Sequence, residues 1–385
     1  MVKPEPTPLK LAILYDYREE SWPSMDLCAE MLSLQLRREH SLSLTTLDIC
    51  PPFVRRFGSL PWLGKQYTAF NGDRLCNRYW DYPRYLRHQR DQFQLFHISD
   101  HSYAHLVHSL PPERTGVFCH DLDTFRCLLE PDQEPRPAWF RALSQRILTG
   151  MQQAAIVFYS TSTIRNQIEE YSLIETSRLI HAPYGISTEF SPEPTSISET
   201  LPAELLGFEN STDFILHVGT CIPRKRIDVL LDVFAALTKL KPQLKLVKVG
   251  GVWTESQQAQ INQLGIAAQI THLQNLERHQ IAELYRRAAV VLLTSEAEGF
   301  GLPLIEALAC GAIVVASDIP VLREVGGAAA VYCPVGDLPT WVNTVAQLLA
   351  EPDLAPAAAI TIAQAEKYSW SAHAATIAQA YLALV

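Results

Sequence analysis

A chain of 385 residues is longer than one ordinary hydrophobic core supports, so two domains of roughly 150–200 residues are expected. Apolar residues at 48% and charged residues at 19% fit a globular protein, and a net charge of −9 excludes a broadly basic surface for nucleic acid. No run approaches the roughly 18–20 apolar residues of a membrane span. The stretch Met1–Lys10 is polar and Pro-rich, and the apolar run Leu11–Leu14 is too short for a signal peptide, so the reading is cytoplasmic. Eight cysteines, at 28, 50, 76, 119, 127, 221, 310 and 333, contain no Cys-x-x-Cys pair and read as reduced, mostly buried thiols.

In chain order, short runs rich in Val, Ile and Leu predict strands at Leu9–Asp16, Leu42–Ile49, Gln94–Asp100, Thr115–Asp121, Ala154–Ser160 and Arg178–Ala182. Six more follow at Asp213–Gly219, Leu244–Val249, Ile270–Leu273, Ala289–Thr294, Gly311–Ser317 and Ala329–Cys333. Runs apolar on successive residues suit strands covered on both faces. Their alternation with helical segments predicts an α/β protein with two doubly wound parallel sheets. Between the halves, Ser187–Ser211 holds Pro192, Pro194 and Pro202 among many Ser, Thr and Glu residues, the composition of an interdomain connection.

The most informative stretch runs from Thr294 to Gly311, Thr-Ser-Glu-Ala-Glu-Gly-Phe-Gly-Leu-Pro-Leu-Ile-Glu-Ala-Leu-Ala-Cys-Gly. A strand ends, a loop with Gly299 and Gly301 turns the chain, Pro303 opens a helix, and Gly311 caps its end. The free amides and positive dipole end of such a helix suit a diphosphate, and glycine lets the phosphates come close. Glu306, one turn into the helix, can accept from a ribose diol, and Glu298 in the loop from sugar hydroxyls beyond the phosphates. By themselves these features fit a donor site or a solvated loop alike.

The pattern Glu298-x₇-Glu306, embedded in Glu-Gly-Phe-Gly-Leu-Pro-Leu-Ile-Glu-Ala, resembles the signature of retaining glycosyltransferase family 4, within the glycosyl transferases group 1. The resemblance extends to Ser317-Asp-Ile-Pro320-x₃-Glu324-Val-x-Gly-Gly327, His217-Val-Gly219-Thr-x-x-Pro-Arg224-Lys225, His181-x-Pro-Tyr-Gly185 and Tyr368-Ser-Trp370. It covers the second domain well and the first only patchily. It implies the B-type fold, two Rossmann-like domains facing a central cleft. Residues 1–186 would form the acceptor-binding domain, with helix 368–385 packing back on it, and 187–367 the donor-binding domain. Glu306 would bind the ribose and Glu298 the transferred sugar. Gly299 and Phe300 would shape the loop, and Gly301 and Leu302 would offer amides to the diphosphate. Arg224 and Lys225 would neutralise the leaving diphosphate on the turn that begins at Gly219 and Thr220. Many relatives carry an arginine at the position of Thr220, which leaves more of that task to Arg224 and Lys225. Leu276 would sit beside the base. His120, after the fourth strand, matches a histidine that relatives use near the donor sugar. No metal or other cofactor is implied, although Asp121-Leu-Asp123 imitates the metal motif of single-domain glycosyltransferases.

In the first domain, His97, His101, His105 and His108 invite a metal reading, but no carboxylate-rich shell accompanies them and a packed or solvated helix is the simpler account. His101 sits where a strand should end. The loop after the first strand, Tyr17–Met25, lacks the glycines usual in the family, and Ser24 is placed to cap a helix starting at Met25. Residues 53–90 hold eight Lys or Arg, two acidic residues and nine aromatics, Arg78 and Tyr82 among them. That segment fits an anionic membrane surface, an acidic acceptor or a helical insertion with snorkelling arginines.

Ser24, Arg78, Tyr82 and His101 are the candidates for the acceptor side. The expected activity is retaining transfer of a hexose, glucosyl or mannosyl in type, from a nucleotide diphosphate sugar to a hydroxyl on a glycan, lipid-linked or small-molecule acceptor. A sugar phosphorylase or epimerase on the same fold, and a non-catalytic nucleotide-sugar binder, are the alternatives. A nicotinamide enzyme is excluded because residues 16–28 contain no glycine, and no Walker-type motif occurs.

Overall fold

The computed structural model describes residues 8–59, 67–193, 206–209 and 211–385. The first seven residues, 60–66 of the basic segment, and 194–205 and 210 of the expected connection lie outside the described residues. The chain divides into two compact units, Met1–Tyr184 with Trp370–Val385, and Gly185–Ser369.

The first unit holds six parallel strands: β1 Leu9–Leu14, β2 Leu44–Ile49, β3 Leu95–Ile98, β4 Thr115–Cys119, β5 Ile156–Tyr159 and β6 Leu179–His181. Their order is β2-β1-β3-β4-β5-β6. The second holds β7 Phe214–Val218, β8 Lys245–Val249, β9 Ile270–Leu273, β10 Val290–Leu293, β11 Val314–Ser317 and β12 Val331–Cys333, ordered β12-β11-β10-β7-β8-β9 and again parallel. Every strand read from the sequence is present, trimmed by a few residues at the ends. Central strands β3, β4, β5, β10 and β11 are buried throughout, which is why their residues are apolar on both faces. Edge strand β2 alternates buried and exposed positions over part of its length. Strand order reverses between β1 and β3 in one sheet and between β7 and β10 in the other, and open parallel sheets bind ligands at such points.

Helices cover both sheets. Ile227–Leu240 buries Ile227, Leu230, Leu231 and Phe234, the apolar stripe legible in the sequence. Helix Trp370–Leu382, from the far end of the chain, belongs to the first unit. Its Tyr381 is fully buried and donates its hydroxyl proton to the Phe96 carbonyl at 2.9 Å, while His97 Nδ1 lies 2.9 Å from the Tyr381 hydroxyl oxygen. Gly116 makes room for it, since a Cβ there would run into the Tyr381 ring and Phe158.

Three first-domain expectations need correcting. Ser24 is not a cap: the helix spans Pro23–Glu39, because Pro23 fits the first turn, and Ser24 lies exposed inside that turn. Tyr82 is fully buried, its hydroxyl within 2.9 Å of the Tyr15 carbonyl and 2.7 Å of the Ile49 carbonyl, so it is a core residue. Arg78 is buried too, 3.2 Å from Glu20 and stacked over Tyr103 at 4.1 Å, which leaves it no head group for an outside partner. Among the described residues no helix is long and apolar enough to cross a membrane.

Replacing Tyr381 by Phe strips the Phe96 carbonyl and the His97 ring of their buried partner. The expected cost is about 1–3 kcal/mol, read as a lowered urea midpoint with an unchanged slope.

Candidate functional site

At the reversal point of the second sheet, two strand-to-helix turns meet. The turn after β7 carries Gly219, Thr220 and the cations Arg224, Lys225 and Arg226. The turn after β10 carries Thr294 to Gly301. They are stitched backbone to backbone and side chain to backbone: Glu296 N–H donates to the Arg224 carbonyl at 2.9 Å, and Thr294 Oγ1 donates to the Lys225 and Arg226 carbonyls at 3.0 and 3.1 Å. Arg226 takes a left-handed conformation (φ 48°), which costs a non-glycine residue of order 1 kcal/mol or more. Its ion pairs with Asp228 (2.8 Å) and Glu296 (3.3 Å) hold it there.

Glu298 is the centre of this arrangement. Its side chain is only 7% exposed, and Lys225 Nζ lies 2.6 Å from Oε1, Ser295 Oγ 2.7 Å from the same atom, and Arg224 Nη1 4.0 Å from Oε2. Burial by itself would raise the carboxyl pKa. The Lys225 charge, helped by Ser295 and Arg224, overrides it and holds Glu298 below the ordinary value. The acid is therefore a fixed anion with defined acceptor lone pairs.

The helix after the loop runs Leu302–Ala309, with Gly301 at its N-cap and Pro303 in the first turn. Gly301 has φ 94° and a Cβ there would meet Leu322 Cδ2 at 2.8 Å, so glycine is required twice over. The amides of Gly301 and Leu302 precede the first intrahelical bond, which Leu304 N–H makes to the Gly301 carbonyl at 2.9 Å. Buried Phe300 is fixed by an edge-on contact with Tyr368 at 5.4 Å, and Gly299 precedes it in the loop. Gly311, past the helix end, has φ 75° as its position demands.

Glu306 sits half-buried on that helix, 3.3 Å from the Tyr285 hydroxyl. Burial pushes its pKa up to about 7, with Tyr285 and Arg278 pulling the other way. The two glutamates thus differ: Glu298 is locked as an anion, while Glu306 exchanges its proton near neutrality. Leu276 lies half-buried after β9, between Asn275 (φ 55°) and Glu277, which caps the next helix.

The first unit gathers its polar residues at its own reversal point. His120 Nε2 donates to the Ser99 carbonyl at 2.7 Å and Nδ1 takes the Tyr184 hydroxyl, so both ring nitrogens are occupied. The side chain therefore serves the sheet edge, not an outside hydroxyl. His101 is buried beside Asp100 (3.2 Å) and Asp121 (3.6 Å), in a 3-10 helix spanning His101–Ser109 that also contains His105 and His108. Among the described residues no group of three or more His, Cys, Asp or Glu is placed to hold a metal ion, and all eight cysteines are free.

Sequence reasoning missed Ser295 and Tyr285, the partners of the two glutamates. Ser295 stands next to the motif and only its function was unread. Tyr285 comes from the helix Arg278–Arg287, and nothing in its local sequence announces Glu306.

Residues 204–367 match the family described as Glycosyl transferases group 1. The chain is 26% identical over 297 residues to O-antigen chain mannosyltransferase B of Escherichia coli, covering 74% of this chain and 75% of that protein. It is 33% identical over 189 residues to D-inositol 3-phosphate glycosyltransferase of Segniliparus rotundus, which covers 46% of this chain and 41% of that one, under half its length. In fold it resembles Anabaena Alr3699/HepE, solved in complex with UDP and glucose, with a TM-score of 0.71 and 15% identity over 97% of this chain and 100% of the other. That likeness shows the two-Rossmann, B-type architecture.

Lys225→Met leaves Glu298 buried with its principal counter-charge gone, and should cost about 2–4 kcal/mol. In the unsubstituted protein the depressed Glu298 pKa adds stability above the unfolded value and loses it in acid. In the variant burial alone raises that pKa, so stability falls as pH rises. Denaturant titrations should therefore show a wider gap between the two proteins at neutral pH than in acid.

Proposed function

We propose, on the premise that the chain belongs through residues 204–367 to the glycosyl transferases group 1 and acts on nucleotide sugars, that it transfers a glucosyl- or mannosyl-type hexose with retention to an acceptor hydroxyl. The observation that carries this reading is the buried Glu298–Lys225 pair beside the glycine-led helix at Leu302–Ala309. It joins a cation, free helix amides and a fixed carboxylate at the sheet's reversal point, the set a sugar diphosphate requires.

In this reading Gly301 and Leu302 donate amides to the diphosphate, and Glu306 accepts from the ribose diol. Glu298 accepts from hydroxyls of the transferred sugar and orients it, and Leu276 borders the base. The bond between the anomeric carbon and the phosphate oxygen breaks, and its electron pair stays on that oxygen. Lys225 and Arg224 stabilise the growing negative charge. The acceptor oxygen bonds to the anomeric carbon from the same face, and its proton passes to the leaving phosphate oxygen. Glu298, held by Lys225 and Ser295, forms no covalent intermediate in this scheme. His120 keeps a positioning role through Ser99 and Tyr184. The E. coli and Segniliparus relatives, a mannosyltransferase and an inositol phosphate glycosyltransferase, support a hexosyl donor and a hydroxyl acceptor.

A thermal-shift screen of uridine, guanosine and adenosine diphosphate sugars identifies the base, since the ligand that binds raises the melting point. With that nucleotide sugar, affinity should improve as pH rises through about 7, because Glu306 must lose its proton before it accepts both ribose hydroxyls. Glu306→Gln should flatten this dependence and Glu306→Ala should abolish transfer. A Gln variant with the original pH profile would refute the assignment.

Transfer should also survive excess EDTA, since Lys225 and Arg224 supply the positive charge. Activity lost to the chelator and restored by Mg²⁺ or Mn²⁺ would overturn that part of the scheme.

A further inference from the structure

Strand β8 reads Lys-Leu-Val-Lys-Val, and its second lysine, Lys248, is fully buried between Val247 and Val249. An apolar side chain would suit this position at lower cost, because an ammonium taken out of water costs several kcal/mol unless compensated. Lys248 Nζ donates to the Gly219 carbonyl at 2.7 Å, to the Val249 carbonyl at 3.2 Å, and to the Gly250 carbonyl. Those three bonds use all its donors. Its charge is another matter. Among the described residues no carboxylate pairs with it; the Trp253 ring lies 5.6 Å away, the Cys221 thiol supports its charge, and burial and then the Lys225 charge work against it.

The carbonyls it holds belong to the two turns that flank the site. Gly219 ends β7 and leads into Thr220, Arg224 and Lys225. Gly250 (φ 78°) and Gly251 (φ 60°) end β8, so tightly packed on the first turn that a Cβ on Gly251 would meet the Cys221 nitrogen at 2.6 Å. In a trans peptide the C=O and N–H point opposite ways. Drawing the Gly219 carbonyl inward therefore turns the Thr220 amide outward.

We propose that Lys248 is a positioning residue for the donor diphosphate, its buried ammonium aiming the Thr220 amide and an uncompensated positive charge at the phosphates from beneath the Gly219 turn. This rests on the donor-site reading above and adds to it a cation behind the turn after β7. A buried charge facing an anion in low dielectric acts more strongly than an exposed lysine would.

The test uses calorimetry on the full chain with UDP, GDP and ADP, each beside its nucleoside. If the unsubstituted protein binds none of them, the donor reading falls and this inference with it. Given binding, Lys248→Gln, which keeps hydrogen-bond donors and drops the charge, should lose about tenfold or more in nucleoside diphosphate affinity. Nucleoside affinity should stay within about twofold, and Lys248→Arg should recover part of the loss. Donor KM should rise more than kcat falls. Equal losses for diphosphate and nucleoside, or none for either, would overturn the inference and leave the donor site standing. Lys248→Met serves where Gln does not fold; if neither folds, the lysine is needed for folding alone and the proposal fails.

Discussion

The ion pair between Lys225 and Glu298 is the constraint on which the second unit's site depends. Each group is nearly out of water, and neither would be tolerated there alone. Joining them ties the turn after β7 to the turn after β10, strands that are neighbours in the sheet but far apart in sequence. The Thr294 hydroxyl and the Glu296 amide lock the same two turns from either side. The loop Glu298–Gly301 can then leave the strand at one angle only, which fixes where the helix at Leu302 starts and where its amides point. Strain at Arg226 and the left-handed glycine at 301 follow from this closure.

The fold was legible because parallel strands covered on both faces must be apolar without alternation, and central runs such as Ile156–Tyr159 and Val290–Leu293 satisfy that condition. The glycine-rich turn after β10 was legible for a different reason. Its glycines and Pro303 each answer a local backbone need, so their spacing carries meaning without tertiary information, whereas partners of both glutamates come from other elements. Arg78 and Tyr82 were misread because composition does not show burial. A segment with eight cations looks like a surface until Glu20, Tyr103 and two main-chain carbonyls are found around its members. Ser24 was misread through a competition between two helix-start signals one residue apart, which Pro23 wins by its fixed φ.

Both units collect titratable groups where their strand order reverses, and they treat them differently. In the first, Asp16 and Asp100 follow β1 and β3 at matching positions, and both are buried. Burial, then the neighbouring Asp100 charge, raises Asp16 well above the carboxylate range. His101 leans on Asp100, and His120 is satisfied by Ser99 and Tyr184. The raised Asp16 pKa lowers the negative charge there.

In the second unit the balance at the reversal point is left positive. Lys225 is matched by Glu298 and Arg226 by Asp228 and Glu296, but among the described residues Lys248 has no carboxylate partner, only carbonyls, the Cys221 thiol and the Trp253 ring. His217, buried in β7 with Nδ1 donating to the Leu292 carbonyl at 2.9 Å, stays neutral because burial, then the charges of Lys248 and Lys225, drive its pKa down to about 3. For the diphosphate proposed to bind beside this glycine-rich turn, positive potential already buried in an acidic protein meets the main electrostatic cost in advance and leaves little to reorganise.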